Sequence, residues 1–324
     1  MDKKQATALA VVVVVVASVA IVAVWFPPTQ PDVRIGYLSQ DLHQLALRVA
    51  VVNGWFEEEG ITVELLTYAN GAYEMDGFQS GQIDMGYLGV APALIKSINA
   101  GINVTVLAAA NSEGSSLEVL KSEYDAGHVT TMSDLAGKTI YHPGPATVQN
   151  FLLRLALNQS GMSVDDVTLQ TAQLSTVADI LTPEAPAYIA WEPFPSLSYY
   201  EGITVPLNLS GTIWPEHPCC VVATDNTFAI EHPEIVQAVV DIHVRAEEWI
   251  INHPVEALAI AVDWLGIDES PVSTAFNRII YNHTLNVAGV EAYLDFLIHE
   301  GQISMDPADA DDFIDGFIDL SYVS

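Results

Sequence analysis

Strand-like and helix-like apolar patterns follow one another in the first third of the chain. Apolar and polar residues alternate over 33–37, which indicates a strand. From Leu42 to Phe56 apolar residues recur at spacings of three and four, as on the buried face of a helix. Further strands are predicted at 61–65, 83–86 and 104–110, and further helices at 72–80 and 92–100. Repeated β-α-β units of this kind predict an α/β fold with a mostly parallel sheet covered on both faces.

A second unit of the same kind begins near Leu135. Strands are predicted at 139–141, 167–171 and 188–190, and helices at 147–160 and 176–181. After residue 223 the pattern is helical only, with helices near 235–249, 255–264, 270–281, 288–300 and 306–319. We therefore predict two α/β lobes with a helical C-terminal tail, and chain crossings near 116–120 and 221–224. The predicted limits are 32–120 for the first part of lobe 1, 121–220 for lobe 2, and 221–324 for the return to lobe 1 and the tail.

Residues 1–26 form a separate unit. Two lysines precede an uncharged apolar run from Ala6 to Phe26, which is long enough to span a bilayer as a helix. We expect an uncleaved membrane anchor with the domain on the outer face of the cell membrane; a cleaved signal, which would leave a secreted or periplasmic protein, is the alternative. Residues 27–31 contain three prolines and form a stiff spacer.

The charge excludes some classes of partner. The 324 residues include 41 acids and 10 Lys or Arg, a formal net charge of -31. This excess argues against nucleic acid, because a phosphate backbone requires Lys and Arg. Hydrophobic residues make up 50% of the chain, which argues against disorder. A packed globule with an acidic, well-hydrated surface remains, suited to a high-salt environment.

Loops that follow strands carry the candidate binding residues, because such loops line the ligand crevice of an open α/β sheet. The last predicted strand stops at Trp191-Glu192, where two prolines forbid its continuation. An aromatic face beside a carboxylate suits a small molecule, although a capped strand end with a core Trp is the alternative. Asp41 and Thr147 also fit ordinary helix caps, and Tyr87 an ordinary packing role. The full candidate set is Ser39, Asp41, His43, Tyr87, Gly89, Asn111, Glu113, Ser115, Gly144, Thr147, Gln149, Trp191 and Glu192.

The two cysteines, Cys219 and Cys220, are adjacent and cannot form a disulfide framework. They fit a pair of buried thiols, a vicinal disulfide, or metal binding together with His217. A single strand gives a Cys pair and one His poor tetrahedral geometry, so no metal site is expected. A nucleophile elbow, a zinc-protease helix and a phosphate-binding glycine loop are absent from the sequence. We expect a protein that is not an enzyme and that uses no cofactor.

Several segments in fixed order resemble the extracytoplasmic solute-binding proteins of the nitrate/sulfonate/taurine and thiamine-precursor type. They are Ile35-Gly36-Tyr37, Gly54-Trp55-Phe56 with Gly60, the run from Ser80 to Gly86, the run from Asn111 to Ser115, Trp191-Glu192-Pro193-Phe194, and the run from Trp214 to Val222. The likeness covers about residues 32–300. It implies a two-lobed type II periplasmic-binding-protein fold that closes about a hinge on its ligand. It also implies an importer of the ABC class, with permease and ATPase subunits as partners. We expect the receptor itself to be a monomer.

One departure concerns the segment 181–188. Family members commonly carry a Gly-x-Ile-Asp-Ala-like segment before the Trp-Glu-Pro, whereas this chain has Leu181-Thr182-Pro183-Glu184-Ala185-Pro186-Ala187-Tyr188. The local geometry of the second lobe is therefore not implied by the resemblance.

The side chains of the candidate loops favour one class of solute. These loops contain no Lys or Arg, but they contain Asp41, Glu113 and Glu192. Carboxylates beside aromatic rings favour a nitrogen heterocycle or an amine over a sulfonate or nitrate-type anion, which would be repelled. We expect Trp191 to stack on the solute and the three acids to orient it, with hydrogen bonds from polar side chains and from backbone N–H groups near Gly89 and Gly144. A membrane-anchored sensor is the alternative, and a pyrimidine-precursor enzyme of the same fold is a remote one.

Overall fold

The computed structural model describes residues 30–323. The predicted anchor at 1–26 and most of the spacer at 27–31 lie outside this range. Within 30–323, no helix combines the length and the apolar character that a bilayer crossing requires.

The described chain contains strands β1 to β11, whose bounds follow in chain order: Val33–Leu38, Val63–Tyr68, Met85–Gly89, Val104–Glu113, Ser115–Leu120, Thr139–His142, Thr168–Thr171, Ala187–Trp191, Thr204–Leu209, Pro218–Asp225 and Ile279–Ile280.

Helices α1 to α14 have the following bounds, again in chain order: Leu45–Val52, Trp55–Glu58, Gly71–Gln79, Val90–Ala100, Lys121–Asp125, Val148–Gln159, Phe194–Tyr200, Ser210–Ile213, Asn226–Glu231, Pro233–Asn252, Pro254–Leu265, Glu269–Phe276, Val287–His299 and Ala310–Phe317. Short 3-10 helices lie at Leu42–Gln44, Met132–Leu135, Val164–Asp166, Val177–Ile180, Pro307–Asp309 and Leu320–Tyr322.

The strands form two sheets. The first has the order β11-β4-β10-β3-β1-β2, and the second has the order β7-β6-β8-β5-β9. Strand β1 runs parallel to β2 and β3, and β6 runs parallel to β7 and β8. The remaining pairs, made by β10, β11 and β5, are antiparallel. The prediction of mostly parallel sheets is therefore wrong: both sheets are mixed, because the strands that carry the chain between the sheets enter them in the reverse direction.

The chain changes sheet at Gly114 and again over residues 210–217, which include α8. The sequence predicts crossings near 116–120 and 221–224, whereas those residues lie inside β5 and β10. Strand β5 reads as a linker because it carries polar residues at buried positions. In the structure Ser116 and Thr204 both donate hydrogen bonds to the Glu118 carboxylate, at 2.7 and 2.9 Å. The residue limits of the lobes remain a prediction.

Two other elements differ from the prediction. The helix expected over 42–56 is interrupted at Gly54, which adopts φ 72° and separates α1 from α2. The C-terminal region is not helical throughout, because Ile279–Ile280 form β11 and pair with β4. Strand β9 and helix α7 are further elements that the apolar pattern does not predict.

The second sheet ends at a smaller apolar cluster beside the polar loops. Trp191 and Tyr188 of β8 pack there with Leu38 of β1 and with Leu174 and Val177, which follow β7. The cluster therefore joins β1 of the first sheet to strands of the second. It places Trp191 at the carboxyl ends of β1, β7 and β8.

Candidate functional site

Two chambers lie where the strand ends of the two sheets face each other. The outer chamber has a volume of about 420 Å³, which is within the range of sites for small organic molecules. It is lined by Ser39, Gln40, Ala69, Asn70, Tyr73, Pro143, Thr171, Ala172, Gln173, Leu174, Ser175, Trp191 and Phe194.

None of these lining residues is charged. Three are aromatic, and the rings of Trp191 and Phe194 meet edge to face at 6.1 Å between centroids. Amide and hydroxyl side chains supply both donors and acceptors. The indole Nε1 of Trp191 is buried and has no hydrogen-bond partner within residues 30–323. The outer chamber thus combines flat apolar faces with neutral hydrogen-bonding groups.

Each polar part of the outer lining follows a strand. Ser39 and Gln40 follow β1, and the backbone N–H of Ser39 donates to the carbonyl of Tyr68 at the end of β2. Asn70 caps α3, because its Oδ1 accepts from the N–H groups of Ala72 and Tyr73 at 3.0 and 3.2 Å. This cap fixes the helix turn that carries the Tyr73 ring.

The inner chamber is much smaller, about 20 Å³, which is the space of about one water molecule. Its lining includes Asp41, His43, Gly89, Thr147, Gln149, Trp191, Cys219 and Cys220. Trp191 therefore lines both chambers and lies at their boundary.

Asp41 and His43 lie together at the inner chamber, and each is 1% exposed. Oδ1 of Asp41 accepts from the backbone N–H of His43 at 3.0 Å and lies 3.4 Å from its Nδ1. Burial raises the pKa of Asp41 to about 6. Burial alone would lower the pKa of His43, but Cys219 and Asp41 outweigh it and raise that pKa to about 10. Asp41 is thus also the helix cap that the sequence offers as an alternative.

The two cysteines face His43 and are not joined to each other. Their sulfur atoms lie 3.5 Å (Cys219) and 3.8 Å (Cys220) from Nδ1 of His43. The pKa of the Cys219 thiol falls well below its ordinary value, because the Cys220 thiol donates to it and His43 lies beside it. Together these three residues form a group whose ligand atoms all lie within 4.8 Å of one another, so they could hold a metal ion.

Asn111 forms a hydrogen bond with the backbone of the cysteine pair. Its Oδ1 accepts from the backbone N–H of Cys220 at 3.0 Å, and its Nδ2 donates to the carbonyls of Ser112 and Glu113. The pairing of β10 with β4 shifts register at this point. Asn111 therefore satisfies backbone groups that the irregular ladder leaves open, and it does not line either chamber.

Besides Asn111, the predicted side chains of Tyr87, Glu113 and Glu192 lie away from both chambers. The ring of Tyr87 packs against His243 at 5.4 Å, in the core behind β3. The carboxylate of Glu113 accepts from the backbone N–H of Glu216 at 2.9 Å. Glu192 is fully buried, and its Oε1 accepts from Arg278 at 2.8 Å. The structure thus gives each of these residues a partner within the protein.

Hydrogen bonds involve four more of the predicted residues, Ser115, Gly144, Thr147 and Gln149, of which Thr147 and Gln149 line the inner chamber and the other two do not. Gln149 donates from Nε2 to the Ser115 hydroxyl at 3.0 Å, and Ser115 donates its backbone N–H to Ser210. Thr147 caps α6 by accepting from the N–H of Asn150, and its hydroxyl donates to the carbonyl of Gly144. Ser39, Asp41, His43, Gly89, Thr147, Gln149 and Trp191 line a chamber.

Several lining residues follow strands that the sequence identifies but does not propose as site strands. They are Asn70 and Tyr73 after β2, and Thr171, Gln173 and Ser175 at the end of β7. The rule that ligands bind at the carboxyl ends of strands would have found them, had it been applied to these two strands as well. The meeting of His43 with the cysteine pair has no sequence signal, because 176 residues separate His43 from Cys219.

Comparison with known proteins finds similarity to several binding proteins. The NMT1-like family matches residues 27–266. A protein of Brucella abortus that is named a binding protein is 26% identical over 246 residues, 75% of this chain and 74% of its own. The formylaminopyrimidine-binding protein of Halalkalibacterium halodurans is 26% identical over 234 residues, 71% of this chain and 68% of its own. The periplasmic nitrate-binding protein of Synechocystis superposes with a TM-score of 0.78 at 14% identity, over 90% of this chain and 88% of its own.

Two mixed sheets with a pocket between their strand ends define a periplasmic-binding-protein fold, and the superposition confirms that class. Because the family match spans most of the chain, the protein belongs to the NMT1-like family. The resemblance drawn from the sequence is thereby confirmed. The names of the curated relatives also confirm the expected class, a binding protein and not an enzyme.

Proposed function

We propose that the protein is the extracytoplasmic solute-binding component of an ABC importer, and that its solute is a small uncharged nitrogen heterocycle bound in the outer chamber. The observation that carries this proposal is the lining of that chamber, which is aromatic and polar but contains no charged residue. An anion would find no Lys or Arg there, and a cationic amine would find no carboxylate. A heterocycle can stack on Trp191 and exchange hydrogen bonds with neutral amides and hydroxyls.

The contacts of the three acids support a narrower solute class than the one expected from the sequence. That expectation relies on Asp41, Glu113 and Glu192 as groups that attract positive charge. Asp41 lies at the inner chamber, and the other two carboxylates bond to the N–H of Glu216 and to Arg278. These contacts therefore favour uncharged heterocycles over amines as the solute. The formylaminopyrimidine-binding relative is in agreement with this class.

The test is a thermal-shift screen of the full chain, followed by calorimetry on each hit. The panel contains uncharged pyrimidines, protonated polyamines, nitrate and alkanesulfonates at matched concentrations. A solute that binds only the folded protein raises the melting temperature by mass action. We expect shifts with the pyrimidines. A shift with nitrate or sulfonate alone would contradict the heterocycle and would leave the solute-binding role intact. No shift with any solute of the panel would contradict the heterocycle and would leave the binding role without support.

A further inference from the structure

The side chains of His43, Cys219 and Cys220 converge at the inner chamber from two distant parts of the chain. His43 belongs to the 3-10 helix after β1, and the cysteines begin β10. All three are at least 97% buried, and all three line the inner chamber. Within residues 30–323 they form the group of His, Cys and acidic residues close enough together to bind one metal ion.

The direction of the two cysteine side chains is unusual. Successive side chains of a regular strand point to opposite faces, so two adjacent cysteines should not reach one ligand. Here the pairing of β10 with β4 shifts register on both sides of Cys220. A bulge of this kind re-aims side chains. Both sulfur atoms consequently lie on the side of His43, and Asn111 holds the displaced N–H of Cys220.

The orientation of the imidazole is fixed as well. Nε2 of His43 lies 2.8 Å from the carbonyl oxygen of Gly114, which can only accept, so Nε2 carries a proton. The other ring nitrogen, Nδ1, faces the two sulfur atoms and Oδ1 of Asp41. Because the pKa of His43 is raised, Nδ1 also carries a proton, which faces the Cys219 sulfur and which a bound metal ion would displace. Thiolate sulfur, carboxylate oxygen and the imidazole lone pair freed in this way all attract a cation. A hydrogen bond from Nε2 to a backbone carbonyl is also the usual support of a metal-binding histidine.

The distances agree with a metal shell. A tetrahedral zinc ion with Zn–S of about 2.3 Å and Zn–N of about 2.1 Å separates nitrogen from sulfur by about 3.6 Å. The observed separations from Nδ1 are 3.5 Å and 3.8 Å. We propose that His43, Cys219 and Cys220 form a binding site for a thiophilic metal ion, Zn²⁺ or Cu⁺, with an open coordination position towards the inner chamber. Thiolate with imidazole is the donor set that these two ions prefer.

The ligands differ from the set considered on the sequence alone. His217 adjoins the cysteines in the sequence, but its Nδ1 lies near the carbonyl of Pro218 and the hydroxyl of Tyr293. Asp41 lies outside the close group of three, and it holds the backbone N–H of His43. The site does not depend on the proposed transport role, since the solute test above probes the outer chamber.

The test uses the full chain, reduced and freed of metal, and titrated with Zn²⁺, Cu⁺ or Co²⁺. Since the chain contains only two cysteines, a thiolate-to-cobalt charge-transfer band reports this pair alone. We expect that band with Co²⁺, and one equivalent of Zn²⁺ or Cu⁺ retained per chain. If Zn²⁺ is retained, the metal is four-coordinate and takes its fourth ligand from the inner chamber. If Cu⁺ is retained and Zn²⁺ is not, the three protein side chains are the only ligands. Either result supports the site.

Three variants, Cys219→Ser, Cys220→Ser and His43→Gln, should each weaken metal binding by more than about 100-fold, beyond the usual effect of losing a supporting group. His217→Gln is the matched control and should keep the affinity. Circular dichroism checks the fold of each variant, and the cobalt band of the unaltered chain decides the matter if a variant does not fold. Absence of that band, a loss of binding only in His217→Gln, or a Cys219–Cys220 disulfide with no metal uptake after reduction would each overturn the site.

Discussion

At the scale of single residues, Trp191 is the side chain on which both chambers depend. It is 5% exposed, it lines the outer and the inner chamber, and its indole N–H is free within the described chain. A flat ring with one donor can both stack on a heterocycle and donate to it. The same burial makes Trp191 part of the smaller apolar cluster, so its replacement affects stability as well as binding.

We expect Trp191→Ala to weaken binding of the best solute more than about tenfold, because stacking and buried area are lost together. Trp191→Phe keeps a stacking face and loses only the donor, so it should weaken binding less. Calorimetry at a temperature well below the melting point of each variant measures the affinity. An unchanged affinity in Trp191→Ala would remove Trp191 from the site.

The second prediction at this scale concerns the buried ion pair of Glu192 and Arg278. The Glu192 side chain is 0% exposed and that of Arg278 is 17% exposed, and the pair joins the end of β8 to the segment before β11. Arg278→Met leaves a buried carboxylate unpaired, so it should lower the free energy of unfolding by about 3–5 kcal/mol. Chemical denaturation of the variant and the unaltered chain measures the difference.

The control is the double variant Glu192→Gln with Arg278→Met, which removes both charges and should recover most of the lost stability. Glu192→Gln alone also tests the sequence-based role of Glu192 in binding. If solute affinity falls with Glu192→Gln while the fold is intact, Glu192 contributes to the solute site and its pairing with Arg278 is not its only role.

At the scale of elements, strand β5 lies between β8 and β9 and carries a buried acid, Glu118. Glu118 lies in β5 and accepts hydrogen bonds from Ser116 and Thr204, and Thr204 is linked through Ser198 to Tyr188. Burial raises the pKa of Glu118 to about 7 from its ordinary value of 4.5. The hydrogen bonds reduce this shift but do not cancel it.

This shift predicts a pH dependence of stability. Because the folded protein holds the Glu118 proton more tightly, the stabilisation is complete below about pH 4.5 and is lost as the pH rises to about 7. Over that range the protein should lose about 3 kcal/mol of unfolding free energy through this group. Urea denaturation at pH 5 and at pH 7.5 measures the loss, and Glu118→Gln should reduce it. An equal loss in both proteins would assign the dependence to other groups.

The elements with regular apolar patterns could be predicted from the sequence. Alternation over 33–37 gives β1, and periods of three and four residues give most helices, because burial on one face imposes those spacings. Strand β5 could not be predicted, since its buried Glu118 is satisfied by partners up to 86 residues away. Gly54 breaks a helix whose apolar period continues across it.

The candidate site could also be predicted only in part. The rule of strand ends placed Ser39, Thr147 and Trp191 at the chambers. Whether a carboxylate points to a solute or to an arginine is decided by tertiary contacts, as Arg278 shows for Glu192. The inner cluster needs a bulge in β10, and adjacent cysteines in a sequence do not reveal a bulge.

At the scale of the whole molecule, the two sheets approach each other at Gly89. This glycine ends β3, and a Cβ built on it would lie 3.1 Å from Val148 of α6 and 3.2 Å from Pro92. Its φ of −64° is ordinary, so an alanine there would meet a packing conflict and no backbone strain. The missing side chain lets a helix of the second sheet pack against the first.

We expect Gly89→Ala to push Val148 away by a few tenths of an ångström and to weaken solute binding severalfold, with a smaller effect on stability, since Gly89 lines the inner chamber at the point where the two sheets meet. Small-angle scattering with and without solute measures closure, and calorimetry measures affinity. Gly316→Ala is the matched control, because a Cβ at Gly316 has no neighbour within 4 Å. Equal affinity in both variants would show that this contact does not limit closure.

The uncharged lining of the outer chamber has a consequence for ionic strength. The chain carries a formal net charge of -31, so a charged solute would approach it with a rate that depends steeply on salt. An uncharged solute that binds among neutral groups experiences neither attraction nor repulsion to be screened. Its association rate and affinity should stay nearly constant from dilute buffer to concentrated brine. Stopped-flow measurements across that range would show capture that is independent of the salinity around the cell.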